Sequence, residues 1–353
     1  MNLEPTHGLL TMEELQLAAR NRGIPLEALR DDITPTALHY LLVHFDIPAI
    51  DPATWQLDLG GHVERSLSLS LEDLRERPRR EFPVTIECAG NGRALLSPRP
   101  ISQPWLNEAV STAVWAGTPL APLLKEAGVK PGAVDVVFTA ADHGIEKGYE
   151  HDYARSLTVA DATRPEVLLA YEMNGRALES QHGAPLRVVV PGWYGMAQVK
   201  WLKRIDVQST PFDGYQQKVA YHFKKDKADP GTPVTRIRPR ALLIPPGFPE
   251  FLTRTRIVEK GRVAIRGRAW SGEGAVSRVE FGVNGVWTKA LLSEPVGPFA
   301  WTKWGCDWDA KPGEYVLSCL ATDSAGNVQP AGQNWNYAGA GNNMAQDVRV
   351  TVR

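Results

Sequence analysis

The chain is expected to fold as an α+β domain over residues 1–235, opened by an N-terminal extension over 1–30, and an all-β sandwich over residues 236–353. Three observations carry that division. Up to about residue 230, short β-rich runs alternate with helix-like segments, the mixture of an α+β domain. Asp229-Pro230-Gly231-Thr232-Pro233 and then Pro245-Pro246-Gly247 break the chain with turn residues. Beyond them only strand patterns remain, alternating apolar with polar and bounded by Gly or Asn-Gly.

In the first part, residues 134–140 and 186–190 read as strands, and residues 71–74 and 122–127 as helices. Ser70 is placed to cap the first helix, with Asp73 three residues on as a weaker capping box. Gly128 marks the stop of the second. In the second part, residues 262–270, 276–283, 315–322 and 347–352 read as strands. Asn284-Gly285 is a hairpin turn, and Asp323-Ser324-Ala325-Gly326-Asn327 joins the later strands. Trp301, Trp304 and Trp308 are expected in the core because aromatic rings bury large areas, a partner-facing role being the alternative.

Composition narrows the class. At 353 residues and 43% hydrophobic, the chain is long enough for two cores. A net charge of -1 leaves no basic surplus for nucleic acid. No apolar run is long enough to cross a bilayer, so no membrane partner is expected. The start Met1-Asn2-Leu3-Glu4-Pro5 is acidic where an export signal is basic and then apolar, so the encoded chain reads as cytoplasmic, or periplasmic if a leader was removed. Cys88, Cys306 and Cys319 form neither a disulfide framework nor a zinc spacing. Cys306 and Cys319 fit adjacent strand positions, with reduced packing thiols favoured over a bond. The cluster His222-Phe223-Lys224-Lys225-Asp226-Lys227 reads as a solvated loop, or as a contact for an anionic cofactor or redox partner.

The most informative segment is Thr85-Ile86-Glu87-Cys88-Ala89-Gly90-Asn91-Gly92-Arg93. A strand-like approach ends in small turn-formers, which puts the Cys88 thiol at a sheet edge rather than inside it. Thiolate is a soft ligand for a redox metal, and Arg93 is suited to lower the thiol pKa and to hold an anion. A lone cysteine is otherwise most often inert filler.

This segment resembles the cysteine segment of the sulfite oxidase family of molybdenum enzymes. His182 to Gly192 followed by Val199-Lys200-Trp201-Leu202 is similar to that family's second hallmark, and Ala109 to Gly117 is a third match. Together these cover the chain from about His39 to its end. The resemblance implies a sulfite-oxidase-type molybdopterin-binding domain followed by an immunoglobulin-like sandwich that makes a homodimer contact. It implies a molybdenum–molybdopterin cofactor with Cys88 as the protein ligand to the metal. His44, His182, Arg187 and Lys200 resemble pterin-contacting positions, and Arg and Lys suit its phosphate. Arg93 resembles the arginine that binds the oxyanion, Trp105 the pocket tryptophan, and Tyr221 the active-site tyrosine, whose hydroxyl donates into the pocket. A surface tyrosine is the plain alternative for Tyr221, because Val219-Ala220-Tyr221-His222 departs from the usual Asp-Tyr-Lys.

Two further departures bear on the substrate. The resemblance implies arginines where this chain has Leu42 and Ala338, so the pocket is expected to be larger and less cationic. The reaction implied is two-electron oxygen-atom transfer, sulfite to sulfate as the family default, on a small oxyanion or oxo-compound substrate. The alternatives are a reductase of a sulfoxide or other oxo compound, and a non-catalytic binding protein that keeps the fold. No haem is expected, because the length holds no further domain, so electrons would pass to a separate acceptor or donor.

Overall fold

In a computed structural model, residues 7–353 are described; the acidic start at Met1 to Pro5 lies outside them. The first domain opens with helix α1 (Met12–Arg20), closed at its start by a capping box between Thr11 and Glu14. The next elements are β1 (Gln56–Gly61), β2 (Leu67–Ser70), α2 (Leu71–Arg75), β3 (Arg80–Glu87), β4 (Val110–Pro119) and α3 (Leu120–Ala127). They continue as β5 (Asp135–Glu146), β6 (Tyr149–Thr158), α4 (Val159–Ala162), β7 (Leu168–Met173), β8 (Arg176–Ala177), β9 (Arg187–Val189) and β10 (Leu202–Gln208). One sheet runs β2-β1-β10-β5-β6. A second runs β3-β4-β7-β8, with β9 also paired to β7.

Ser70 and Asp73 form the capping box of α2, and Gly128 ends α3 in the left-handed conformation (φ 70°). Helix α3 starts two residues earlier than expected, because Pro122 falls within its first turn, where a missing N–H costs no intrahelical bond. Strand β5 runs six residues past the expected end, since its pairing with β6 continues from His143↔Asp152 to Glu146↔Tyr149 beyond a bulge.

A short pair, β11 (His222–Phe223) with β12 (Thr232–Pro233), links the halves. The sandwich then comprises β13 (Arg240–Leu243), β14 (Phe248–Pro249), β15 (Arg256–Val258), β16 (Gly261–Trp270), β17 (Val276–Val283), β18 (Val286–Lys289), β19 (Leu291–Leu292), β20 (Thr302–Ala310), β21 (Gly313–Asp323) and β22 (Val348–Val352). Its two sheets run β13-β16-β20-β19 and β14-β15-β22-β21-β17-β18. Asn284 and Gly285 both take positive φ (47° and 79°), the conformation of a two-residue turn that follows strand twist.

One expectation needs correction here. Cys306 lies on β20 and Cys319 on β21, in opposite sheets, so they are not neighbours on adjacent strands; both are free thiols. All three tryptophans are in the core as expected: Trp304 and Trp308 fill the sandwich, and Trp301 joins the core cluster of the first domain and donates from Nε1 to the Asp32 carbonyl at 2.9 Å. The domains are joined by buried polar contacts as well. Arg268 of β16 reaches Asp32 at 2.8 Å, and Thr85 of β3 donates its amide to the Phe299 carbonyl at 2.8 Å.

Candidate functional site

Strand β3 delivers Cys88. Its last pair with β4 is Glu87↔Val110, after which the Cys88 amide still donates to Ala109 (2.9 Å) and the chain turns, Asn91 donating back to the Cys88 carbonyl (2.9 Å). Gly92 takes φ 87° to complete that turn. The thiol is buried, yet it lines two adjoining cavities. Burial pushes its pKa above the ordinary value, although Arg93 and the Gly90 amide (3.4 Å from Sγ) pull the other way. Arg93 thus acts in the expected direction, but burial outweighs it. Arg93 folds back over Gly90; a Cβ there would stand 2.6–2.8 Å from the guanidinium.

The inner cavity is lined by His39, His44, His182, Arg187 and Lys200 together with Cys88. Arg187 donates to the carbonyls of His182 (2.9 Å) and Gln198 (3.1 Å), and its buried Nε has no partner. Lys200 donates to the carbonyls of Leu42 (2.7 Å) and Gln181 (3.3 Å). Gly183, at φ 104°, gives Lys200 its room: a Cβ would lie 2.9 Å from that of Lys200. Burial and then mutual repulsion shape the titration of this group. Lys200 is brought down to about 7 by burial and Arg187, and His182 to about 4 by burial, Arg187 and Lys200. Arg187 is lowered to about 10, chiefly by burial. Cations gathered in a buried wall with carbonyls as their hydrogen-bond acceptors form a cradle for an anion.

The outer cleft, of about 640 Å³, opens from the same thiol. Arg93, Trp105 and Tyr221 line it, as do Leu42 and Ala338. Tyr221 follows a π-helical turn over Gln216–Ala220 and lines both cavities, so it is not a surface tyrosine. Arg155 lies 5.6 Å from the centre of its ring. Lys224 and Lys227 of the basic cluster border this cleft, while Lys225 is exposed, so the cluster is part rim and part solvated loop. Among the described residues no group of His, Cys, Asp and Glu is arranged to hold a metal ion by itself.

Three residues escaped the sequence reading. Glu146 faces His44 (3.5 Å) and accepts from Gln216 (2.8 Å); these bonds outweigh its burial and bring its carboxyl to about 2. His39 is buried in the inner wall with Nε2 unpartnered. Glu87, next to the thiol, pairs with Arg240 of the sandwich at 2.9 Å, both side chains almost wholly buried. Asn91 and Trp270 also donate to Glu87 (2.9 and 2.8 Å), and Arg240 reaches Asn107 at 2.6 Å. A charged Glu ending an apolar strand was the available signal; its partner, 153 residues away, left none.

Residues 44–216 match a family model described as an oxidoreductase molybdopterin binding domain, and residues 241–353 one described as a Mo-co oxidoreductase dimerisation domain. The chain is 36% identical to mitochondrial sulfite oxidase of Mus musculus over 94% of its own length and 64% of that protein's. It therefore spans somewhat less than two thirds of that relative. It is 36% identical to sulfite oxidase of Gallus gallus, covering 90% of this chain and 73% of that protein. It is 32% identical to nitrate reductase [NADH] 1 of Oryza sativa subsp. japonica, covering 91% of this chain and 38% of that protein. The solved structure of the sulfane dehydrogenase SoxCD from Paracoccus pantotrophus superposes with a TM-score of 0.80 at 25% identity, over 98% of this chain and 93% of that one.

Proposed function

Because the chain belongs to the sulfite oxidase family of molybdopterin oxidoreductases, we propose that it transfers an oxygen atom and two electrons at a sulfur oxyanion, with sulfite to sulfate as the reference reaction. The observation that supports this most is the inner wall of Arg187, Lys200 and His182, buried, hydrogen-bonded by its cations to carbonyls, with Asp142 as the one carboxylate among the described residues that line it, and floored by Cys88. That donor set fits the cofactor. Cys88 would hold the metal as thiolate, and His44, His182, Arg187 and Lys200 would hold the pterin and its phosphate. When bound, the molybdenum cofactor supplies the two-electron redox change.

The protein's own groups do the rest. Arg93 binds the anionic substrate beside the thiol, where burial strengthens the attraction. The Tyr221 hydroxyl stays protonated at neutral pH, since burial pushes its pKa well up, so it acts as a hydrogen-bond donor. Trp105 walls the floor of the cleft against water. Electrons leave to a separate acceptor, and the match to a dimerisation domain favours a homodimer through the sandwich, residues 236–353.

The test is metal and pterin analysis of protein matured in a molybdopterin-competent host, with sulfite-dependent reduction of ferricyanide. About one molybdenum per chain, lost or spectroscopically altered in Cys88→Ser, is expected. A Cys88→Ser protein with unchanged metal spectrum and turnover would overturn the assignment.

A further inference from the structure

The outer cleft is oversized for a bare sulfur oxyanion. Clefts of about 300–1,000 Å³ hold drug-sized ligands, and this one, at about 640 Å³, falls within that range. Arg93 is the only arginine among the described residues that line it; His44, Lys147, Lys224 and Lys227 line it too, and Glu146 adds a carboxylate. Leu42, Phe45, Ile101 and Ala338 present apolar surface instead. A ligand matched to these walls carries one negative charge at the thiol end and an apolar body beyond it.

We infer that the substrate is an organic sulfinate, R–SO2−, with its charge on Arg93 and an aromatic or branched aliphatic R group against Leu42, Phe45 and Ile101. This rests on the molybdopterin reading above. The reaction balances as R–SO2− + H2O → R–SO3− + 2 H+ + 2 e−. One S–O bond forms at the sulfur lone pair and both O–H bonds of water break. The protons go to solvent, and two equivalents of a one-electron acceptor, ferricyanide in the assay, take up the electrons.

The experiment compares benzenesulfinate with sulfite as substrates of the molybdenum-loaded protein, following ferricyanide reduction and the formation of benzenesulfonate with 18O from labelled water. The kcat/KM for benzenesulfinate is expected to exceed that for sulfite by about tenfold, the least that burying an aromatic ring contributes. Ala338→Arg, or Leu42→Lys should the first not load metal, adds a cation and removes apolar room. Either is expected to move the ratio toward sulfite by about tenfold or more. Preference for sulfite with no benzenesulfonate formed, or loaded protein that oxidises neither compound, overturns the sulfinate assignment while the cofactor reading stands. Absence of molybdenum from matured protein overturns both, and the metal analysis tells the two failures apart.

Discussion

Replacing Lys200 by Met is expected to stabilise the empty protein and to abolish cofactor retention. Burial and Arg187 bring the Lys200 pKa from 10.5 to about 7. At roughly 1.4 kcal/mol per pH unit, holding the ammonium there at neutral pH costs up to about 5 kcal/mol. Part of the side chain still meets solvent through the cleft, so about half of that is realistic. The carbonyls of Leu42 and Gln181 lose their donor, a cost of about 1 kcal/mol once water can reach them. The net gain is about 1.5 kcal/mol, or about 2 °C in Tm for a chain of this length. The sign with pH follows from the direction of the shift. The folded pKa lies below the unfolded one, so the unfolded chain binds more protons between pH 7 and 10.5. Wild-type stability therefore rises through that window, and Lys200→Met flattens the rise. An anion in the cradle reverses the balance, because it repays the ammonium. Scanning calorimetry of the metal-free proteins from pH 7 to 10, paired with molybdenum content after maturation, measures both arms. A Lys200→Met protein that melts below wild type and loads metal normally would refute the anion cradle.

Glu146 sets an acid limb of the opposite kind: its stabilisation is present above pH 4.5 and is lost as pH falls toward 2, about 2 kcal/mol after allowing for solvent. Glu146→Gln should remove that limb from denaturant midpoints between pH 5 and 3. Arg240→Met leaves Glu87 as an unpaired buried charge and should cost about 3–5 kcal/mol, with Glu87→Gln in the same chain recovering a good part of it, both read by urea unfolding. Gly90→Ala puts a methyl on the Arg93 guanidinium and should raise KM for the oxyanion about tenfold or more, with metal content unchanged. Unchanged KM in that variant would mean that Arg93 does not hold the substrate.

The parts that could be read from sequence are those fixed by local chemistry. Ser70 with Asp73, Gly128, and Asn284-Gly285 each specify their own backbone, and the structure places all three as expected. The site was legible in the small turn-formers after Cys88 and in the family motifs that carry Arg93, His182, Arg187 and Lys200; the close approaches of Gly90 to Arg93 and Gly183 to Lys200 show only in the structure. It was not legible where partners come from distant strands. Glu146 reaches His44 only because β5 outruns its apolar stretch, and nothing in residues 134–140 signals that extension. For Cys88, sequence shows the arginine five residues on, which does lower the thiol pKa, but not the burial that outweighs it.

The Glu87–Arg240 pair explains how the second domain, which lines the outer cleft with Ala338, also bears on the thiol from behind. Side chains alternate across a strand, so where β3 ends, Cys88 faces the cavity and Glu87 faces the sandwich. A buried ion pair is a weak source of net stability, since desolvation cancels most of its attraction. It does fix geometry. Arg240 also donates to the carbonyls of Asn91 (3.3 Å) and Asn342 (3.0 Å), while Asn91 is tied to Glu87, so the turn that carries the thiol is held from behind on several bonds. A thiol that burial keeps protonated would have to release its proton to solvent to serve as a metal ligand, and the backbone around it is then best fixed beforehand, so that no binding energy goes into ordering the turn. Loss of Arg240 should therefore loosen the ligand as well as the fold, and metal affinity should fall even in variants whose stability is restored by Glu87→Gln.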